Sequence, residues 1–188
     1  MNSTVNTENI RKPLPEELPG IPKLIAALIL VLLVGFAILV TMVLPAEKGI
    51  DPTGIGEKLN LTRMGVIKSS LAEPDAPLEG RPQREDETSI TILPITGREI
   101  KMEMKKGFEV EYSWQVDNGE VYHDTHGDIY GNEDIYITYT KADGVANDEG
   151  TIKAVFGGHH GWYWRNNGNQ PVTITVRTSG QYLAIQAK

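Results

Sequence analysis

All four histidines of the chain fall in two short clusters, His123 and His126 in YHDTHGD and His159 and His160 in GGHHGWYWRN. Neutral imidazole is the commonest protein ligand for zinc, copper and nickel, so two imidazole pairs in one small domain point towards a metal site. Parity limits the idea. In a regular strand, neighbouring residues and residues three apart face opposite sides, so neither pair chelates alone without a bulge or turn. One histidine from each of two adjacent strands could still meet, and Asp124 and Asp128 share the face of His126 as carboxylate ligands. The expected set is His126 and His160 with Asp124 or Asp128, with His123 and His159 as the alternative pair, holding zinc, copper or nickel. The competing reading makes one histidine of each cluster a hydrogen-bonded core residue beside Trp162 and Trp164 and leaves the other solvated. No short motif here fixes ligand geometry, which favours that plainer reading, and no cofactor is taken as certain.

Trp162, Tyr163 and Trp164 form the densest aromatic cluster. An exposed ring there would stack on a sugar or anchor a protein contact. Alternation puts Trp162 and Trp164 on one face with His160, and Tyr163 on the other with His159 and Arg165; burying both tryptophans is the economical expectation. Nucleophilic catalysis has little support. Ser113 and Ser179 lack any motif context, no Gly-x-Ser-x-Gly elbow or phosphate-cradling Gly-rich loop occurs, and there is no cysteine. The chain reads as non-enzymatic, with metal-assisted hydrolysis the residual catalytic alternative.

These residues sit in a stretch whose hydrophobic period is two. In FEVEYSWQV, Phe108, Val110, Tyr112, Trp114 and Val116 alternate with polar partners, as in a half-buried antiparallel strand. Similar segments start at Ser89, Arg98, Gly119, Asp134, Gly150, His159, Pro171 and Tyr182, separated by turn signals such as Asp117-Asn118-Gly119 and Asn167-Gly168-Asn169. About nine short strands at roughly ten-residue spacing predict an antiparallel β-sandwich, mainly β and of jelly-roll type, over residues 89–188.

The rest of the chain is organised around Leu24 to Leu44, which carries no charged residue across 21 positions. At ~1.5 Å per residue it reaches ~30 Å, the thickness of a bilayer hydrocarbon core, and residues 23–45 are read as a transmembrane helix. The apolar run exceeds the ~7 to 15 residues of a cleaved signal, so an uncleaved anchor is expected. Basic residues before it (Arg11, Lys12, Lys23) and after it (Lys48, Lys58, Arg63) balance, and orientation rests on Lys23 at the membrane edge and on the folded domain that follows. The expected placement is the bacterial inner membrane, single-pass, with a cytoplasmic N-terminus and a periplasmic sandwich. Residues 1–22, with four prolines and no apolar period, read as a disordered tail. Residues 46–71 read as one or two short amphipathic helices on the membrane surface or against a partner, and 72–88 as a linker.

With 188 residues and a net charge of -7, the chain has room for one modest domain, and its charge argues against nucleic acid or acidic lipid as a primary partner. The stretches HGDIYGNEDIYITYTK and GGHHGWYWRNNGNQPVTITVRTSGQY resemble the GOLD (Golgi dynamics) domain, a lumenal β-sandwich, with Gly161, Trp162, Trp164 and Asn166 followed by Val172 to Val176 standing in the family's pattern. The GOLD cargo receptors place the sandwich before the membrane helix and carry paired cysteines; this chain does neither. Its layout, including LPAEKGIDPTGIGEKLNLTRMG, is more similar to bacterial single-pass transmembrane anchor proteins, a resemblance that implies topology and no mechanism.

The leading expectation is therefore a membrane-anchored accessory protein whose sandwich contacts an integral membrane protein, with a homo-oligomer compatible with the sequence. A periplasmic metal-binding module of a transport or resistance system and a glycan-binding sandwich are the alternatives.

Overall fold

The computed structural model describes residues 19–188, so the expected tail is outside the described residues except for its last four positions. The described residues form two units, one ending at Leu39 and one running from Val40 to Lys188. In the first, α1 (Ile21–Ile38) starts with Pro22 in its first turn, buries none of its side chains, and from Leu24 onward carries neither charge nor a polar face. A π-helical turn, Leu39–Val43, carries it into α2 (Leu44–Lys48). The continuous helix Ile21–Lys48 is long and apolar enough to cross a membrane.

In the second unit α2 stops at Gly49, whose positive φ of 69° suits a residue without Cβ. Two further helices follow, α3 (Ile55–Lys58) and α4 (Leu61–Ala72). Nine strands complete it: β1 (Arg84–Ile92), β2 (Gly97–Met104), β3 (Glu109–Val116), β4 (Val121–Ile129), β5 (Asn132–Val145), β6 (Asn147–Lys153), β7 (Gly158–Arg165), β8 (Val172–Gly180) and β9 (Ala184–Ala187). One sheet has the order β1-β8-β3-β6 and the other β5-β4-β7-β2-β9, every pairing antiparallel. Only β4 and β5 are consecutive strands paired within one sheet; the chain otherwise alternates between sheets, which is the jelly-roll winding. The sandwich fold expected from the alternation is thus observed, with β9 added at the edge beside β2.

The core between the sheets is made by the inward half of each alternating strand. Ile100, Met102 and Met104 from β2, Val110, Tyr112 and Trp114 from β3, Trp162 and Trp164 from β7, and Ile174 and Val176 from β8 belong to one buried cluster. Trp114 meets Trp164 edge-on at 5.7 Å, and Trp162 stacks on Trp164 at 5.9 Å. A second cluster, Ile129, Ile135 and Phe156, lies at one end of the sandwich and is covered by Val66 and Ile67 of α4.

The segment read as a linker is pinned to the sandwich. Ala76 donates its backbone N–H to the Lys106 carbonyl at 2.8 Å, and the Arg81 guanidinium donates to the carbonyls of Ala76, Pro77 and Gly107 and to the Gln181 amide oxygen. Strand β1 begins at Arg84, five residues before the apolar alternation becomes visible at Ser89, because REDET is polar on both faces at the sheet edge.

Candidate functional site

The outer face of the five-stranded sheet presents Tyr122, Asp124, His126 and Asp128 from β4, Tyr163 and Gly161 from β7, and Glu99 and Lys101 from β2. Their inward neighbours fill the core. Lys101 and His126 both stand opposite Gly161, one from each strand flanking β7. With no side chain at that position, the row Lys101–Gly161–His126 leaves a trough, and the lysine lies in it, 2 % exposed. An ideal Cβ at Gly161 would collide with the Ile100 carbonyl, so the position admits no larger residue without a shift of the backbone.

The Lys101 ammonium donates to Asp128 Oδ2 at 2.8 Å and to His126 Nε2. His126 Nδ1 lies 3.0 Å from the Asp124 carbonyl. A proton on Nδ1 given to that carbonyl leaves the Nε2 lone pair for the lysine, so the hydrogen-bond network assigns the tautomer. The buried Lys101 cation is thereby held by one carboxylate and one imidazole.

Beside this trio is a depression of about 460 Å³. Four carboxylates line it: Glu99, Asp124, Asp128 and Asp134. So do the rings of Tyr122, Tyr136 and Tyr163, with Tyr122 edge-on to Tyr163 at 6.5 Å and Tyr136 edge-on to His126 at 5.4 Å. Asp124 Oδ2 accepts a bond from Thr138 at 3.4 Å, whereas its buried Oδ1 has no hydrogen-bond partner among the described residues. Burial, and then the Asp124 carboxylate, push the Tyr122 phenol above its ordinary pKa. The arrangement is anionic and ring-walled, suited to a cationic group rather than to an anion. The four-stranded sheet carries a depression of about 480 Å³, but its central ion pair, Arg177–Glu87, is more than half exposed on both sides and makes a solvated surface.

The two histidines expected to share a metal do not meet. In the β4–β7 register His126 faces Gly161 and Gly127 faces His160, so the imidazoles are out of step by one residue and project from opposite faces of the sheet. The alternative pair is split the same way: His123 lies against Trp114 in the core at 5.2 Å, and His159 lies on the outer face against Tyr130 at 5.4 Å. The register shifts of β4, one of them between Thr125 and His126, fall in its pairing with β5 and leave the β4–β7 ladder regular. His126, Asp124 and Asp128 do share a face, as the alternation implied, but Lys101 occupies the space between His126 and Asp128. Among the described residues no group of three or more His, Asp or Glu side chains is placed to hold a metal ion.

His160 is a core residue. Its Nε2–H donates to the Phe156 carbonyl at 3.1 Å and its Nδ1 accepts from the Tyr139 hydroxyl at 2.8 Å. Burial drives its pKa down to about 4; the bond to Phe156 works the other way and does not compensate, and the Lys101 charge adds to the fall. His123 is shifted in the same direction, also by burial. Trp162 and Trp164 are fully buried, so of the aromatic trio only Tyr163 reaches the outer face.

Lys101 and the tyrosines Tyr122 and Tyr136 were not among the residues the sequence singled out. A lysine between Glu99 and Glu103 on a strand reads as solvated, and the signal that marks it is indirect: Gly161 stands at an outward position of an otherwise bulky strand.

No family model matches the chain, and no curated protein does. Among solved structures, the Yersinia pseudotuberculosis-derived mitogen is similar over 52% of this chain and 86% of its own, with 13% identity and a TM-score of 0.40. A de novo designed double-stranded β-helix is similar over 50% of this chain and 97% of its own, with 16% identity and a TM-score of 0.31. Both likenesses are distant.

Proposed function

We propose that this chain is a membrane-anchored, non-enzymatic binding protein whose extracytoplasmic sandwich holds a basic segment of a membrane-protein partner. The observation that carries this reading is the depression over β4 and β7, where four carboxylates and three tyrosine rings converge and where Asp124 Oδ1, 3.6 Å from His126 Nδ1, accepts no hydrogen bond among the described residues. The one lysine beneath them is already consumed by Asp128 and His126. A lysine ammonium or arginine guanidinium from a partner would gain charge-assisted bonds to the carboxylates and ring faces to lie on. The apolar helix Ile21–Lys48 supports anchoring, and the layout resembling bacterial single-pass anchor proteins agrees with a single-pass topology.

The test is calorimetry on the full-length protein in lipid nanodiscs with lysine-rich, arginine-rich and glutamate-rich peptides. Saturable binding of the basic peptides that weakens with salt, and falls at least tenfold in Asp124→Asn/Asp134→Asn, is the expected result. Equal binding by the variant, or none by the native protein, overturns the reading.

A further inference from the structure

The chain folds back on itself immediately after the long helix. Gly49 ends α2 in the left-handed region, and the Asp51 carboxylate then gathers the next turn, accepting bonds from the Thr53 backbone and hydroxyl, from the Glu57 N–H at 2.8 Å and from the Thr62 hydroxyl. This turn returns Gly56 to the ring of Pro45 so closely that a Cβ at position 56 would collide with it. Gly65 of α4 packs as tightly against the Pro45 carbonyl and the Gly49 amide.

Pro45 directly follows Leu44, the last residue of the uncharged run. The Gly56–Pro45 contact therefore sets α3 beside the end of that run rather than farther out along the chain. Ile55 and Leu59, joined by the Leu59 N–H to Ile55 carbonyl bond of 3.1 Å, are one helical turn apart and share a side. They are 41% and 53% exposed, and Ile50 is 56% exposed. Three large aliphatic side chains left open within a few residues of an apolar run, with Lys48, Lys58 and Arg63 among them, have the composition of a segment that lies in a lipid interface.

We infer that Ile50, Ile55 and Leu59 enter the interfacial layer of the bilayer. The inference rests on reading Leu24 to Leu44 as a membrane span. The occupant is lipid because the contact is continuous with that span: Gly56 touches the residue next to its end. Rigidity follows from the same packing, since α4 is held to α2 through Gly65 and to the sandwich through Val66, Ile67 and the bonds from the Lys106 ammonium to the Leu71 and Glu73 carbonyls.

The chain has no cysteine, so single-cysteine variants of the full-length protein can carry a fluorophore. Val34→Cys reports the span, Ile55→Cys and Leu59→Cys the fold-back, and Leu78→Cys, at an 81% exposed position, the aqueous control. Each is reconstituted in phosphatidylcholine/phosphatidylglycerol vesicles and quenched by iodide from water or by nitroxide lipids. Labels at 55 and 59 are expected to be quenched by shallow nitroxides and shielded from iodide at least fivefold relative to 78. Iodide access equal to that at 78, with 34 still quenched by deep nitroxides, overturns the inference and leaves the span intact. Shielding from both quenchers also overturns it, because protein and not lipid would then cover the segment. A label at 34 open to iodide removes the span and the inference together.

Discussion

Lys101 and His126 approach each other across Gly161, the residue that both oppose in the sheet, and the lysine ammonium is shared between His126 Nε2 and the Asp128 carboxylate. A cation on the outer face of a sheet is ordinarily solvated; this one is almost wholly covered. Its worth lies in the arrangement it imposes. The lysine holds Asp128 and His126 in fixed positions on the wall of the anionic depression, while Asp134 is exposed at its rim.

Removing the cation should therefore be costly and the cost reversible by a second change. Lys101→Met leaves the buried Asp128 with only His126 Nε2, 3.5 Å away, beside it, and about 3 to 5 kcal/mol of stability should be lost, as for other broken buried pairs. Lys101→Met/Asp128→Leu should recover most of it. Urea denaturation of the full-length protein in mild detergent reads both, and a double variant as unstable as the single would show that the pair is not the source of the loss.

Gly161→Ala tests the trough itself. The added Cβ is directed at the Ile100 carbonyl, so the β2–β7 ladder must shift, and overpacking of this kind costs about 1 to 3 kcal/mol. Because the shift moves Lys101 away from His126, basic-peptide affinity should fall along with stability. A variant of native stability and native affinity would mean that the sheet absorbs the methyl group without moving the lysine.

The outline of the sandwich was legible because nine strands alternate cleanly enough to be read one at a time, from Phe108 to Val116 above all. What alternation does not carry is register. The parity that separates His126 from His160 depends on which residue of β7 lies opposite which residue of β4, and a slip of one position reverses every face. The same limit hid the site: Lys101 is buried only because Gly161, sixty positions later, stands opposite it. The segment from residue 72 to 88 reads as linker by composition, and it is Arg81, through hydrogen bonds to the Gly107 carbonyl and the Gln181 amide oxygen, that fixes it to the sandwich.

Acid should unfold the protein partly through its core histidines. His160 has a folded pKa of about 4 against an ordinary 6.5, so as pH falls the unfolded chain takes up the proton first. The stabilisation from keeping His160 neutral is complete above about pH 6.5, declines through the interval down to about 4, and changes no further below it; His123 acts in the same direction. A shift of this size corresponds to about 3 kcal/mol across the interval. His160→Gln, though less stable at pH 7, should show a shallower loss between pH 6.5 and 4 in denaturation midpoints, and an unchanged slope would assign the acid sensitivity to other groups.

Metal titration separates the histidines by face. With His126 on the outer side and His160 in the core, zinc, copper or nickel should find no stoichiometric site that His126→Ala and His160→Ala each abolish. His160→Ala should instead lower stability, having removed an acceptor for Tyr139 and a donor to Phe156. Calorimetry beside thermal denaturation gives both readings, and a single tight site lost in both variants would require β4 and β7 to pair in another register.

Gly65→Leu probes whether the fold-back is one body with the sandwich. Any side chain at this position points at the Pro45 carbonyl and the Gly49 amide, so α2 and α4 must part. Separation takes Val66 with it, because its side chain packs beside Gly49, and so uncovers Ile129, Ile135 and Phe156 at the end of the sandwich. Limited proteolysis of the full-length protein in nanodiscs should then find new cleavage after Lys48, Lys58 or Arg63, with the strands from β1 onward retained as a resistant fragment. Leu78→Ala, at a solvated position, should leave the digestion pattern as in the native protein. If Gly65→Leu did the same, α4 would be held by its contact with the sandwich alone, and the packing of glycine against proline would add nothing to that hold.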